Sequence, residues 1–506
     1  AAAMNTAYAS GGITGLANEA ITLDDTSLAV ATLNTLDGNT TGAVNAATIT
    51  TLTGAAAAMN TAYASSGITG LANEAITLDD TSLAIATLNT LNGNTTGVIN
   101  ANTITTLTGA AATMNTVYTA AGNGEISNLG NEAITLDDTT LAVATLNTLD
   151  GNTTGAVNAA TITTLTGGAA AMNTAYASGG ITGLANEAIT LDDTSLAVAT
   201  LNTLDGNTTG AVNAATVTTL TGAASAVITA YDSSGISGLG NEKLTLSGNT
   251  SVANANTLAA DTTGVITATI TETDASTLAT LTETTNAYTI TVGDTSVTAA
   301  NLNTIDGATT VAVTATAVTT ITGAAADVNT AYASSGINGL GNEAVTLSDT
   351  TLAVATLNTL NGNTTGVVNA ATVTTLTGAA AAMNTAYTAA GNSEISNLGN
   401  EAITLDDTSL AIATLNTLNG NTTGVVNAAT VTTLTGAAAT MNTVYTAAGN
   451  GEISNLGNEA ITLDDTTLAV ATLNTLNDNT TGVVNAATVV TLTGAYTALN
   501  TAYTDA

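Results

Sequence analysis

The 506-residue sequence contains no cysteine, histidine, proline, phenylalanine or tryptophan. Without cysteine the chain forms no disulfide bond and no thiolate metal site, and without proline no backbone donor is missing from a β-ladder. Lys243 is the only basic side chain. Because the histidine, cysteine and arginine groups on which much enzyme chemistry depends are missing, we expect that the protein is not an enzyme. A glycan lyase on a β-helix is disfavoured for the same reason, since the sequence has no histidine or arginine and only one lysine.

The sequence also has almost no positively charged residues. One basic residue stands against 37 acidic residues, which gives a formal net charge of −36. Such a chain has no basic patch to displace counterions from nucleic acid, and anionic membrane surfaces repel it. The sequence has no run of about 20 apolar residues, so we expect no membrane insertion. Acidity and a near absence of trypsin cleavage sites favour an extracellular or cell-surface location.

What the sequence does have is a strict internal repeat. Each unit closes on Thr-Leu-Thr-Gly, at Gly54, Gly109, Gly167, Gly222, Gly378, Gly436 and Gly494, with a Thr-Ile-Thr-Gly variant at Gly323. Most of these glycines are 55 or 58 residues apart, but Gly222 and Gly323 are separated by 101. We predict regular repeats in residues 1–222 and 324–506, a degenerate region in residues 223–323, and one continuous solenoid.

Each repeat consists of two similar halves. Alternating apolar residues, such as Ile21, Leu23, Leu28 and Val30, lead into a Leu-Asn-Thr or Met-Asn-Thr motif whose apolar spacing is three or four. This change of period predicts short strands, a turn and a short helix in a coil of roughly 27 residues. Thr53 is expected to cap the helix that follows it.

The predicted fold class is therefore a repeat solenoid with parallel β-strands and short helices in each coil. Two coils make up each repeat of about 55 residues, so the class is β-solenoid-like, or an α/β solenoid. The crossover rule favours a right-handed winding.

Paired aspartates recur at the corner after a strand. In a stack they would form a column of carboxylates, and Ca²⁺ would relieve their repulsion by binding carboxylate and backbone oxygens. The alternative is a solvated acidic edge that keeps the protein soluble. Calcium is thus the one candidate cofactor, and its candidate ligands are Asp24, Asp25, Asp79, Asp80, Asp137, Asp138, Asp192, Asp193, Asp406, Asp407, Asp464 and Asp465.

Three further motifs recur. In Asn-Glu, as at Asn73-Glu74, we expect a left-handed Asn and a Glu that accepts from a backbone amide; a glycosidase-like acid pair is disfavoured because every unit repeats it. The asparagine of Leu-Asn-Thr or Met-Asn-Thr, as at Asn34 and Asn60, predicts a ladder of stacked amides. Asn-Thr-Thr fits the N-glycosylation pattern. It begins at Asn39, Asn94, Asn152, Asn207, Asn363, Asn421 and Asn479.

The motifs Leu-Asn-Thr-Leu-Asp-Gly-Asn-Thr-Thr-Gly and Val-Thr-Thr-Leu-Thr-Gly-Ala-Ala-Ala resemble the tandem repeats of very large secreted surface proteins of marine cyanobacteria. Those needed for swimming in marine Synechococcus are among them. The resemblance covers almost the whole chain. It implies an extracellular structural protein and brings over no catalytic residue.

These observations favour a structural protein of an extracellular filament or cell-surface layer. The chain begins and stops inside a repeat, so we expect either a segment of a longer protein or a unit that binds copies of itself, end to end or laterally. One alternative is an adhesin stalk that spaces a distal binding domain. Another is an ice-binding solenoid, in which threonine rows such as 48–53 would form a flat face.

Overall fold

A computed structural model describes residues 1–504, so residues 505 and 506 of the predicted region 324–506 lie outside the described residues. The chain divides into two compact units. The first comprises residues 1–247 and 260–264, and the second comprises residues 248–259 together with the chain from Val265 onward. In sequence, these boundaries fall inside the predicted degenerate region 223–323. The single continuous solenoid stays a prediction, and each unit is described by itself.

The first unit alternates short strands with helices of eight to twelve residues. Its helices are Ala2–Ala9, Val30–Asn39, Ala56–Ala64, Ile85–Asn94, Ala111–Gly122, Val143–Asn152, Ala169–Ala177, Val198–Asn207 and Ala224–Asp232. Its strands are Ile21–Thr22, Ser27–Ala29, Val44–Asn45, Thr51–Gly54, Ile68–Thr69, Ala75–Leu78, Ser82–Ala84, Ile99–Asn100, Thr106–Gly109, Ile126–Ser127, Ala133–Leu136, Thr140–Ala142, Val157–Asn158, Thr164–Gly167, Ile181–Thr182, Ala188–Leu191, Ser195–Ala197, Val212–Asn213, Thr219–Gly222 and Ile236–Ser237.

Strand Lys243–Thr250 and helix Val252–Asp261 each include residues of both units. The second unit has helices Ala275–Leu278, Ala299–Gly307, Ala325–Ala333, Val354–Asn363, Ala380–Gly391, Ile412–Asn421, Ala438–Gly449, Val470–Asn479 and Tyr496–Thr504. Its strands are Ile266–Ile270, Ala287–Thr289, Ser296–Thr298, Val313–Thr314, Thr320–Gly323, Ile337–Asn338, Ala344–Leu347, Thr351–Ala353, Val368–Asn369, Thr375–Gly378, Ile395–Ser396, Ala402–Leu405, Ser409–Ala411, Val426–Asn427, Thr433–Gly436, Ile453–Ser454, Ala460–Leu463, Thr467–Ala469, Val484–Asn485 and Thr491–Thr493.

The strands pair in parallel and in a fixed order of sequence types. A complete sheet typically runs from Ser-Leu-Ala or Thr-Leu-Ala through Thr-Leu-Thr-Gly, Ala-Ile-Thr-Leu and Val-Asn or Ile-Asn to Ile-Ser or Ile-Thr. One such sheet joins Ser27–Ala29, Thr51–Gly54, Ala75–Leu78, Ile99–Asn100 and Ile126–Ser127. A stack of parallel strands with a helix between them in each coil is the predicted repeat α/β solenoid, and the fold class is confirmed.

The length of each sheet follows from the pairing register. Leu28 faces Leu52, 24 residues on, and Ile76 faces Ile99, 23 residues on. Half of a repeat is longer than this, about 27 residues. A complete ladder therefore slips by a few residues per coil, passes through all five strand types, and ends where the next position is helical.

Aliphatic side chains from both kinds of element fill the interior. Leu52, Leu33 and Leu36 are fully buried, and so is Met59 in the second helix of the repeat. The apolar spacing of three or four on each helix places these side chains on its inner face. One detail of the prediction is wrong, since Val30 begins a helix instead of continuing a strand. Within residues 1–504 no helix has the length and apolar character needed to cross a bilayer.

Candidate functional site: the contacts between coils

The second aspartate of each pair caps a helix of the preceding coil. Asp80 Oδ2 accepts a hydrogen bond of 2.7 Å from the backbone N–H of Ala56, the first residue of helix Ala56–Ala64. Asp138, Asp193, Asp407 and Asp465 do the same for Ala111, Ala169, Ala380 and Ala438. Asp25 binds the amino group of Ala1 at 2.7 Å. The prediction that Thr53 caps this helix is therefore wrong, because the cap comes from the adjoining coil.

The first aspartate of each pair points outward. Asp24, Asp79, Asp137, Asp192, Asp406 and Asp464 are all exposed. In the described part of the chain, no three acidic side chains come together in a group that could hold a metal ion. Calcium binding by the aspartate pairs stays a prediction, with one carboxylate of each pair already engaged by a helix.

A buried glutamate anchors the loop after each second helix. Glu74 is 1% exposed, accepts a hydrogen bond of 2.7 Å from the Tyr63 hydroxyl, and accepts others of 3.0 Å from the backbone N–H of Ala72. The same pairing joins Tyr8 to Glu19, Tyr118 to Glu132, Tyr176 to Glu187, Tyr231 to Glu242, Tyr332 to Glu343, Tyr387 to Glu401 and Tyr445 to Glu459. The predicted role of the glutamate is confirmed.

The predicted left-handed conformation of the Asn-Glu asparagine is wrong. In residues 1–504 the asparagines with positive φ are Asn128, Asn397 and Asn455, which lie in Ile-Ser-Asn-Leu-Gly loops. These loops occur only in the 58-residue repeats; in the 55-residue repeats the equivalent position also has positive φ but is a glycine, as at Gly70 and Gly183. Asparagine tolerates this region because its short side chain bonds locally.

The surroundings of this pair raise the pKa of the tyrosine hydroxyl. Burial raises the pKa of the Tyr63 hydroxyl, and the Glu74 carboxylate raises it further, against a lowering by the Thr95 hydroxyl. Burial also raises the pKa of Tyr118, Tyr176, Tyr231, Tyr332, Tyr387 and Tyr445. Tyr288 lies in the degenerate region, where burial raises its pKa to about 12. Tyr63 and its equivalents in the other repeats therefore stay protonated donors to the glutamate carboxylates over the ordinary pH range, whereas the Tyr288 hydroxyl accepts from Asn286 Nδ2 at 3.0 Å.

The Asn-Thr-Thr-Gly motif forms a corner against the same glutamate. The Thr95 hydroxyl donates to the Glu74 carbonyl at 3.3 Å and accepts from the N–H of Gly97 at 3.0 Å. A Cβ atom at Gly97 would overlap that carbonyl, so only glycine fits. The motif thus has a structural use, and N-glycosylation of its asparagine stays a prediction.

The recurring asparagines donate hydrogen bonds to backbone carbonyls. They do not form a stack of side-chain amides. Asn60 Nδ2 donates to the Thr87 carbonyl of the next helix at 2.9 Å, and Asn34 donates to the Ala58 carbonyl at 2.9 Å. Asn60 Oδ1 in turn accepts from Asn94 Nδ2 at 2.9 Å. The predicted ladder of stacked amides is therefore wrong, although the asparagines do connect successive coils.

Sequence reasoning missed one contact between coils. The Ser65 hydroxyl donates to Asp37 Oδ2 at 2.6 Å, whereas in a 58-residue repeat Asn92 Nδ2 donates to Glu125 Oε2 at 2.8 Å. The signal was present in the sequence: Leu-Asp-Gly precedes the short loop and Leu-Asn-Gly precedes the long one.

The sequence matches no protein-family model, and no curated protein matches it. The resemblance to surface proteins of marine cyanobacteria stays a prediction. The functional argument accordingly rests on the contacts between coils.

Proposed function

We propose that this is a structural protein of an extracellular filament or cell-surface layer, built by stacking coils face to face. The proposal is supported by the contacts that the recurring polar side chains make. Asp80, Asn60 and Thr95 each hydrogen-bond to backbone of an adjoining coil. Their counterparts in other repeats make the same hydrogen bonds. Most of the recurring polar side chains therefore hold neighbouring coils together.

The surface that one coil presents to the next is apolar. Leu434 is fully buried, whereas its equivalent Leu492 in the last described coil is partly exposed. Strand Thr491–Thr493 pairs with Thr467–Ala469 on one side. An open strand edge beside exposed apolar side chains is a template for another strand. The coil that covers it would be a following repeat or a second copy of the chain.

Charge favours end-to-end contact over lateral contact between copies. The net charge of −36 makes the sides of two molecules repel each other. Lateral association therefore needs cations, and Ca²⁺ at the exposed aspartates is the candidate. Stacking through coil ends depends less on cations, since apolar area and strand pairing supply its attraction.

Electron microscopy and sedimentation of the purified chain, at several calcium concentrations, test the proposal. Filaments of uniform width are expected, and isolated particles at every calcium level would contradict self-assembly and favour the adhesin stalk. Leu492→Glu should block end-to-end assembly. Val367→Glu is the matched control, because Val367 is 45% exposed away from that coil end and the same change should leave assembly intact.

A further inference from the structure

Repeats of the two lengths make different contacts at one place. Near the end of each Leu-Asn-Thr helix is a position, here called the helix-end position, that faces the loop of the next coil. It is occupied by Asp37, Asn92, Asp150, Asp205, Asp306, Asn361 and Asn419. The facing segment, called the loop here, begins with the last residues of the preceding helix and is either short, four residues as at 64–67, or long, seven residues as at 388–394.

The residue at the helix-end position and the length of the facing loop are matched in all seven pairs. An aspartate always faces the short loop and accepts from its serine, at 2.6–2.7 Å, in the pairs with Ser65, Ser178, Ser233 and Ser334. An asparagine always faces the long loop and donates to its glutamate, at 2.8–2.9 Å, in the pairs with Glu125, Glu394 and Glu452.

The chemistry of each pair excludes one of the crossed combinations. An aspartate opposite Glu394 would bring two carboxylates to hydrogen-bonding distance without a donor between them, which like charges oppose. The short loop is fitted to aspartate in shape as well, because a Cβ at Gly67 would overlap the Asp37 carboxylate. The Ser65 hydroxyl also accepts from the Gly67 N–H at 3.0 Å, which fixes its proton toward Asp37.

We infer that the helix-end position selects which loop can stack on it: aspartate accepts the serine loop and rejects the glutamate loop, and asparagine accepts the glutamate loop. Within a chain, this matching holds each coil in register with its neighbour.

Loop grafting in the full-length chain tests the inference. Residues 177–180 are replaced by the long-loop sequence of residues 388–394, which sets a glutamate opposite Asp150. Amide hydrogen exchange of the grafted loop, measured in dilute unassembled protein, is expected to be about two- to fivefold faster than at residues 388–394. Adding D150N should return it to the natural rate. Equal exchange with and without D150N would overturn the inference.

A second set of variants needs no graft. N361D should loosen the long loop by a similar factor, and N361D/E394Q should restore it, because glutamine supplies a donor to the new carboxylate. D205N is the matched control at a short loop: the asparagine oxygen still accepts from Ser233, so exchange should change less. If N361D has no effect, or if E394Q does not rescue it, the selection rule is wrong. Since all these readouts are local and concern single molecules, they are independent of whether filaments form.

Discussion

Asp80 accepts a hydrogen bond of 2.7 Å from the backbone N–H of Ala56, although 24 residues separate the two in the chain. A helix N-terminus has free N–H groups and a partial positive charge, and here both are met by a carboxylate of the adjoining coil. The cap therefore joins local helix stability to stacking. A helix in this repeat is fully capped only when the next coil is in place.

This cap gives the first prediction. Asp80→Ala should lower the free energy of unfolding by about 1 kcal/mol, as the loss of a helix cap does elsewhere. Asp79→Ala is the control, because Asp79 is exposed and its change should stay within about 0.5 kcal/mol. Urea denaturation followed by circular dichroism measures both. Equal effects of the two substitutions would show that charge and not capping is what matters.

The second prediction concerns the glycine at the Thr-Thr-Gly corner. Gly97→Ala places a methyl group on the Glu74 carbonyl, so the corner has to open, at about 1–3 kcal/mol of stability. Gly93→Ala is the matched control on helix Ile85–Asn94, where a Cβ meets open space. It should stabilise by up to about 1 kcal/mol, because alanine is the better helix former. Thermal unfolding of the two variants should move in opposite directions.

The third prediction concerns the hydroxyl of a buried tyrosine. Tyr63→Phe removes a donor from the Glu74 carboxylate, and hydrogen bonds to buried charged groups are worth about 1.5–3 kcal/mol. Tyr8→Phe should have a smaller effect, because Glu19 is less buried and the Tyr8 bond is longer, at 3.2 Å. Denaturation midpoints compare the two. A larger loss for Tyr8→Phe would contradict the account of Glu74.

Alkaline pH should unfold the protein, which is the fourth prediction. An unfolded tyrosine has a pKa of about 10, and burial raises the pKa of tyrosines such as Tyr118 and Tyr387 above that in the folded chain. Above pH of about 10 the unfolded state then binds fewer protons, so stability falls as pH rises and is unaffected by these groups below it. Tyrosinate absorbance should appear together with loss of circular dichroism. Ionisation of these tyrosines in a folded chain would refute this.

The fifth prediction concerns calcium binding. If the exposed aspartates such as Asp24 and Asp79 bind Ca²⁺ with their capping neighbours, ligand binding to the folded state raises the melting temperature. The melting midpoint is compared in calcium and in chelator, with magnesium as the control for simple screening. Identical midpoints in calcium and chelator would end the calcium proposal.

Much of the fold was predictable from single residues and their spacing. The alternation of Ile21, Leu23 and Leu28 and the spacing of Leu33 and Leu36 predicted the strands and the helix, because a strand repeats every two residues and a helix every 3.6. The structural use of Glu74 was predictable as well, since a glutamate repeated in every unit is a poor candidate for an active site. Local rules failed at Thr53, because the cap comes from the adjoining coil, and at Val30, where the helix begins directly after strand Ser27–Ala29.

The sequence by itself determined the period, the strand and helix types and the apolar interior, because these follow from local spacing and from repetition. Only the tertiary structure decided which polar groups meet. Asp80 meets Ala56, Asn60 meets the Thr87 carbonyl, and Asn92 meets Glu125 at separations of 24, 27 and 33 residues. In the regular repeats the strands pair at a register of 23 to 27 residues. That register depends on how strands and helices pack across neighbouring coils, which no single stretch of the sequence contains.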